Sequence, residues 1–135
     1  MKGLLIDTCI ISELAKRIPA PQVVRWFENS SESLFLSTIT IEEFLTGLRY
    51  LGSEKKLIFF QGMMRDEYSI LPVSWEVAER SSLLRYKART NGTPMGMGDA
   101  LIAATALEEN LTLVTRNVKD FVKCGVDILN PFERE

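Results

Sequence analysis

The stretch Gly3-Leu4-Leu5-Ile6-Asp7-Thr8 decides the fold. A short apolar run that stops at a turn signal fits a strand buried on both faces, as in a parallel sheet. Ile10, Ile11, Leu14 and Ile18 follow at once in a helical pattern. A strand running straight into a helix opens an α/β sheet, and such sheets bind ligands in the crevice beyond the carboxyl ends of their strands. Asp7 stands at such an end. Asp and Thr also favour the position that caps a helix, so a structural role is open to Asp7 as well.

Downstream, strands and helices alternate. Pro19-Ala20-Pro21 breaks the first helix and opens a second, which carries Val23, Val24, Trp26 and Phe27. Leu34–Ser37 reads as the second strand. Thr40 three residues before Glu43 has the form of a capping box, and Ile41, Phe44, Leu45 and Leu48 trace one helical face behind it. A further helix is expected from Glu54 to Arg65, then a strand at Tyr68–Leu71, then a long helix capped by Ser74 and running to about Thr90. Asn91-Gly92-Thr93-Pro94 is a break. Met95-Gly96-Met97-Gly98-Asp99 reads as a flexible loop that delivers an acid to the start of an alanine-rich helix, Ala100–Asn110. That helix is apolar nearly all round, so it is expected to lie buried against the sheet. Leu111–Thr115, a short helix at Val118–Lys123 and a last strand at Val126–Leu129 complete the pattern. The expectation is an α/β fold over residues 1–135 as one domain, a three-layer α/β/α sandwich around a parallel sheet with right-handed crossovers.

The composition removes several chemistries. The chain has no histidine, which excludes a Ser-His-Asp triad, a HExxH zinc site and histidine general-base catalysis. Its two cysteines, Cys9 and Cys124, are far apart and lack zinc-ligand spacing. Oxygen ligands and a hard divalent metal are then the natural tools of an enzyme. The formal net charge is −2, so a nucleic-acid partner must be held by local basic groups. Candidates are Lys16 and Arg17, the Arg85, Lys87 and Arg89 stretch, and Arg116 with Lys119. No long apolar span or export signal is visible, and the expectation is a soluble cytoplasmic protein without a membrane partner.

The acids fall where strands end or helices begin. Asp7 follows the first strand, Glu43 opens the helix after the second, Asp99 opens the alanine-rich helix, and Asn117 and Asp120 follow the next strand. On a parallel sheet these positions can converge on one edge, where a bound Mg²⁺ or Mn²⁺ offsets the repulsion and makes a phosphoryl-transfer site. Each acid also has a plainer role. On that plainer reading Asp7 and Asp99 would be ordinary helix caps, Glu43 only the capping-box partner of Thr40, and Asp120 a solvated helix charge. Helical spacing does not choose between Glu42 and Glu43. The Gly96/Gly98 pair is no phosphate loop, since the Gly-Lys-Ser/Thr element is missing.

Four segments together are more specific than any one acid. They are Leu5-Ile6-Asp7-Thr8, Ser37-Thr-Ile-Thr-Ile-Glu-Glu43-Phe-Leu-Thr-Gly47, Gly98-Asp99-Ala-Leu-Ile-Ala-Ala-Thr-Ala106 and Leu113-Val-Thr-Arg-Asn117-Val-Lys-Asp-Phe121. In order and spacing the sequence resembles the PIN-domain ribonucleases, and among them the VapC-type toxins of toxin–antitoxin pairs. The resemblance aligns Asp7, Glu43 and Asp99 with the family's three acids, and Glu43 rather than Glu42 with the second. It implies that Asp7 and Asp99 bind Mg²⁺, with Mn²⁺ as a substitute, and that Glu43 supports that ion or a second one. The fourth acidic position falls on Asn117, which with Thr8 and Thr115 is expected to stand in an outer shell. Cys9 is a departure, because the family usually has Asn there. The resemblance further implies RNA cleavage by metal-activated water, leaving 5′-phosphate and 3′-hydroxyl ends, a homodimer, and a small cognate antitoxin seated in an apolar groove. The stretch Phe59–Met64 is a candidate lining for such an interface. Two alternatives are a PIN-like domain that binds RNA or a partner without cutting, and a HAD-like phosphatase. The latter needs Asp-x-Asp, where this chain has Cys9.

Overall fold

A computed structural model describes residues 2–133. Met1, Arg134 and Glu135, which the expected domain also takes in, lie outside them. The elements run β1 (Leu4–Ile6), α1 (Thr8–Leu14), α2 (Pro21–Asn29), β2 (Leu34–Ser37), α3 (Thr38–Leu51), α4 (Glu54–Glu67), β3 (Ser69–Leu71), α5 (Trp75–Thr90), α6 (Met97–Glu108), β4 (Thr112–Val114), α7 (Val118–Phe121) and β5 (Ile128–Leu129). A 3₁₀ turn, Val122–Cys124, extends α7. Every strand pairing is parallel, in the order β3-β2-β1-β4-β5.

Strand alternation sorts the core into two layers. Leu4 and Ile6 face one way, with Leu36 and Val114, and meet Ile10 and Ile11 of α1, Val23 and Trp26 of α2, Phe44 and Leu48 of α3 and Met64 of α4. Leu5 and Leu113 face the other way, against Ile102, Ala103 and Ala106 of α6 and Phe121 of α7, with Leu84 of α5 packed beside them. Helices therefore cover both faces, which is why β1 is apolar throughout. Residues 102–106 of α6 are all buried, as their composition predicts. Asn110, at φ 53°, turns the chain from α6 into β4. Asn is among the few residues that adopt that left-handed conformation readily.

Several helix ends differ from the sequence reading, and α6 starts at Met97 rather than Ala100, so residues 97–99 expected in a loop form its first turn. α1 stops at Leu14, and Ile18 is 84% exposed. The position before a proline disfavours helical backbone, so Pro19 pushes Ile18 out of the helix. α3 starts at Thr38 rather than behind a Thr40 cap. Its N-cap is Ser37, whose Oγ accepts from Ile39 N at 3.0 Å. Thr40 lies inside the helix, fully buried, with its hydroxyl unpartnered. The consequence is that Glu43 is released from capping duty.

Glu13 ties the α1–α2 connection. Its Oε2 accepts from Ala20 N at 2.8 Å and its Oε1 pairs with Lys16 Nζ at 2.8 Å. The bonded Lys16 ammonium and the Ala20 N–H hold this carboxyl below its ordinary 4.5, against the effect of burial. A carboxyl with a lowered folded pKa adds stability above its ordinary value and loses it as pH falls through the folded one. Glu13→Gln is therefore expected to lower the urea midpoint at neutral pH, with the gap from the parent closing below about pH 4. A gap that stays constant through the acid range contradicts this account.

Candidate active site

The strand order reverses direction at β1: the chain moves outward from β1 to β2 and β3, then returns to β4 on the other side. The crevice beyond the carboxyl ends at that point is where open α/β sheets take ligands. Asp7 lies there, between the ends of β1 and β4, and is only 4% exposed. It is the N-cap of α1, its Oδ1 accepting from Thr8 N at 2.8 Å. Its Oδ2 accepts from Thr115 Oγ1 at 2.7 Å and from the Cys9 thiol at 3.4 Å. A carboxylate has about four acceptor positions, so capping leaves capacity for a ligand. Burial pushes the Cys9 thiol up, and the charge of Asp7 adds to the effect, so at neutral pH Cys9 is a neutral donor toward Asp7. The departure at this position thus keeps a hydrogen-bonding group beside the acid.

Thr8 joins the first acid to the second. While its N–H bonds Asp7, its Oγ1 donates to Glu43 Oε1 at 2.6 Å. Glu42 instead accepts from Thr46 Oγ1 at 2.8 Å, one turn along α3. The hydrogen bonds thereby separate two glutamates that helical spacing leaves equivalent. The other oxygen of Glu43, Oε2, sits 2.7 Å from where a Cβ on Gly98 would stand. Glycine at 98 is what lets Glu43 approach the first turn of α6. That helix begins at Met97, with Gly96 as N-cap and no side-chain cap bond. Asp99 is thus one residue into the first turn beyond Gly98 and free of a capping role.

Asp99 feels the whole group. Burial first, then the charges of Asp7, Asp120 and Glu43, push its carboxyl from 3.8 to about 6. Asp120 is exposed on α7 and reads from sequence as a solvated helix charge. Asn117, which holds the fourth acidic position by motif, is exposed at the N-cap of α7 and makes no side-chain cap bond. Its N–H donates to Thr115 Oγ1 at 3.0 Å, so it acts on Asp7 through the threonine. The negative charge near Asp99 comes from Asp120 instead. The available signal was the spacing: three residues on a helix bring Asp120 back to the side of Asn117.

Among the described residues no three His, Cys, Asp or Glu side chains close into a ready-made metal cage. The acids form an open group. Mg²⁺ suits such a group, because it keeps several of its waters and takes one or two carboxylates. The raised Asp99 bears on fit, since a dication would offset the repulsion that adds to burial in raising it. The donors are oxygens throughout, as a hard cation requires.

In cation-free protein the side-chain carboxyl carbon of Asp99 is expected to titrate near 6 by NMR, and Asp7→Asn is expected to lower that midpoint. Mg²⁺ is expected to lower it too. Because the folded value lies above 3.8, this group favours the fold most at low pH and that contribution is lost as pH rises through about 6. An ordinary midpoint, indifferent to Asp7→Asn, would show that the acids do not share one field.

Comparison with known proteins agrees with this geometry. The family profile for the PIN domain matches residues 4–125. VapC ribonuclease Y4jK of Sinorhizobium fredii is 33% identical over 137 residues, spanning 96% of this chain and 98% of that protein. The crystal structure of FitAcB from Neisseria gonorrhoeae superposes with a TM-score of 0.85 at 31% identity, over 96% of this chain and 99% of that one. A toxin–antitoxin complex from Klebsiella pneumoniae gives a TM-score of 0.74 at 28% identity, over 97% and 99%. A parallel sheet with acids gathered at its reversal point, and a likeness that runs nearly end to end, place the chain in the PIN-domain family, among its VapC-type members.

Proposed function

We propose that this protein is a metal-dependent endoribonuclease and the toxin of a toxin–antitoxin pair. The observation that carries the reading is the geometry at the sheet's carboxyl end, where Thr8 joins Asp7 to Glu43 and Glu43 packs against Gly98 beside Asp99. Asp7 and Asp99 are the residues that would hold Mg²⁺, or Mn²⁺ in its place. Such an ion, when bound, polarises a phosphodiester and acidifies water. The chain's own groups do the positioning. Thr115 Oγ1 and Thr8 N fix the plane of the Asp7 carboxyl. Thr8 Oγ1 fixes Glu43 through Oε1, which leaves Oε2 to orient the attacking water and take its proton. A relative named as a ribonuclease supports the substrate class.

The antitoxin belongs to the same proposal, supported by the likeness to a toxin–antitoxin complex. A groove of about 310 Å³ borders Glu43, with Phe44, Leu48 and Leu51 on its walls. Tyr50, Leu51, Ile58 and Phe59 are all more than half exposed on α3 and α4. Of the Phe59–Met64 stretch, Met64 is core and Phe59 is open to a partner. An antitoxin segment would lay apolar side chains in this groove and reach past Glu43 to the acids with a basic one. A homodimer is part of the reading. Among the described residues no helix is long and apolar enough to cross a membrane.

Purified protein is expected to cut single-stranded RNA with Mg²⁺ and to stop with EDTA. Asp7→Asn and Asp99→Asn are expected to lose roughly 100-fold or more, the scale for groups acting in the transition state. Full cleavage by Asp7→Asn removes this mechanism. Cleavage absent from the parent leaves the alternative of a domain that binds without cutting.

Gly98→Ala gives a sharper test of the Glu43 geometry. The added methyl meets the far end of a flexible side chain, so Glu43 moves and the fold tolerates the change. Thermal stability is expected to stay near the parent's while cleavage falls roughly 10- to 100-fold, since small misplacements of a catalytic group are costly. Parent-like cleavage would mean that Glu43 need not sit against α6.

A further inference from the structure

We infer that a second cavity beside the acids binds one nucleotide of a single-stranded RNA, next to the phosphate that is cut. This rests on the ribonuclease reading. The cavity measures about 420 Å³ and lies between α5, the 91–96 loop, the start of α6 and the α7 segment. That volume is within the range of small-ligand sites. Asp99 and Asp120 form part of its wall, so whatever fills it adjoins the proposed metal site.

The same wall carries Lys87, Lys119 and Lys123. Among the described residues, the ion pairs are Lys2–Asp127, Lys16–Glu13 and Arg80–Glu108, so these three ammonium groups are uncommitted. The structure thereby chooses between the basic candidates in the sequence. Lys16 is held by Glu13, and Arg116 lies over the Phe132 ring at 4.2 Å. Of the remaining candidates, Lys87 and Lys119 line the cavity, joined there by Lys123. In a chain of net charge −2, three free cations around one cavity are a local site for a polyanion.

The ligand chemistry follows from the mixture. Asp99, which would hold the metal, stands on the same wall as lysines that suit a flanking phosphate. Between them the wall offers Leu84 and Met95 as apolar surface, and Asn91 and Thr93 as hydrogen-bonding groups. A flat base with polar edges matches that pairing, and sequence-specific RNA recognition works on splayed single-stranded bases. An Asn side chain offers both a donor and an acceptor to a base edge. The wall is also preformed. Gly92, at φ 78°, ends α5 in a left-handed turn, and Thr93 N returns to the Ala88 carbonyl at 2.9 Å. In this assignment Lys87, Lys119 and Lys123 hold phosphates, and Asn91 and Thr93 set base preference at one position.

The test uses the full chain and a fluorescein-labelled single-stranded RNA pool with a randomised central stretch. Anisotropy is read with the Asp7→Asn protein, which keeps the pool intact. Adding Lys87→Ala and Lys123→Ala is expected to raise Kd about tenfold or more, and to cut the slope of log K against log salt by about 1.4, two single-strand phosphate contacts. The pair Lys55→Ala and Lys56→Ala on α4 is the control and is expected to bind as before. With the otherwise unaltered chain, Asn91→Ala is expected to change base preference at one position beside the cut, read by sequencing the products. Unchanged Kd and salt slope in the Lys87/Lys123 variant overturn the proposal, as does an equal loss in the control pair. Lysine-dependent binding without cleavage by the parent would keep the nucleotide site and remove the ribonuclease reading. Cleavage by the parent with a parent-like Lys87/Lys123 variant would do the reverse.

Discussion

Burying an acid at the reversal point of a parallel sheet sets the terms for everything around it. Asp7 is almost wholly out of water, yet its bonded partners are neutral: a backbone N–H, a threonine hydroxyl and a thiol. Such donors orient a carboxylate but do not cancel its charge. A buried charge without an opposite charge is costly. The neighbourhood is acidic as well, because the charges of Asp7, Asp120 and Glu43 all act on Asp99. On the function proposed above, a bound cation supplies the opposite charge.

Thr8 and Thr115 are the joints of this arrangement. Thr115 bridges β4 to Asp7 and also accepts from Asn117 N, which fixes the entry to α7. Thr8 bridges Asp7 to Glu43 and so ties α1 to α3. Gly98 then admits Glu43 to the edge of α6. Hydrogen bonds join residues 7–8, 43 and 115–117, and close packing at Gly98 brings in the start of α6, while the two apolar layers hold the sheet that carries them.

The crevice has two unlike flanks. Toward α3 and α4 lies an apolar groove that ends at Glu43. Toward α5 and α7 lies a cavity with lysines that ends at Asp99 and Asp120. On the reading proposed here, a protein partner comes from the first side and the RNA strand from the second. The two end at different members of one acidic group, Glu43 on one side and Asp99 with Asp120 on the other, so on this reading occupation of one flank bears on use of the other.

Much of this was legible in the chain itself. Apolar runs ending at turn signals placed all five strands to within about two residues, and the strand–helix alternation required a parallel sheet covered on both faces. The family resemblance pointed to Asp7, Glu43 and Asp99 as the acids of the proposed site. Local patterns settle such matters because periodicity and capping act over a few residues. Other features needed distant parts of the chain to meet. Ser37 took the cap expected of Thr40, Thr8 selected Glu43 over Glu42, and Asp120 supplied the charge that the motif assigns to the place of Asn117. Lys16 and Arg116 were taken up by Glu13 and Phe132, partners remote from the cavity that Lys87, Lys119 and Lys123 line. Hydrogen bonds and electrostatic fields act through space, so a residue's role there is decided by neighbours that its own segment does not contain.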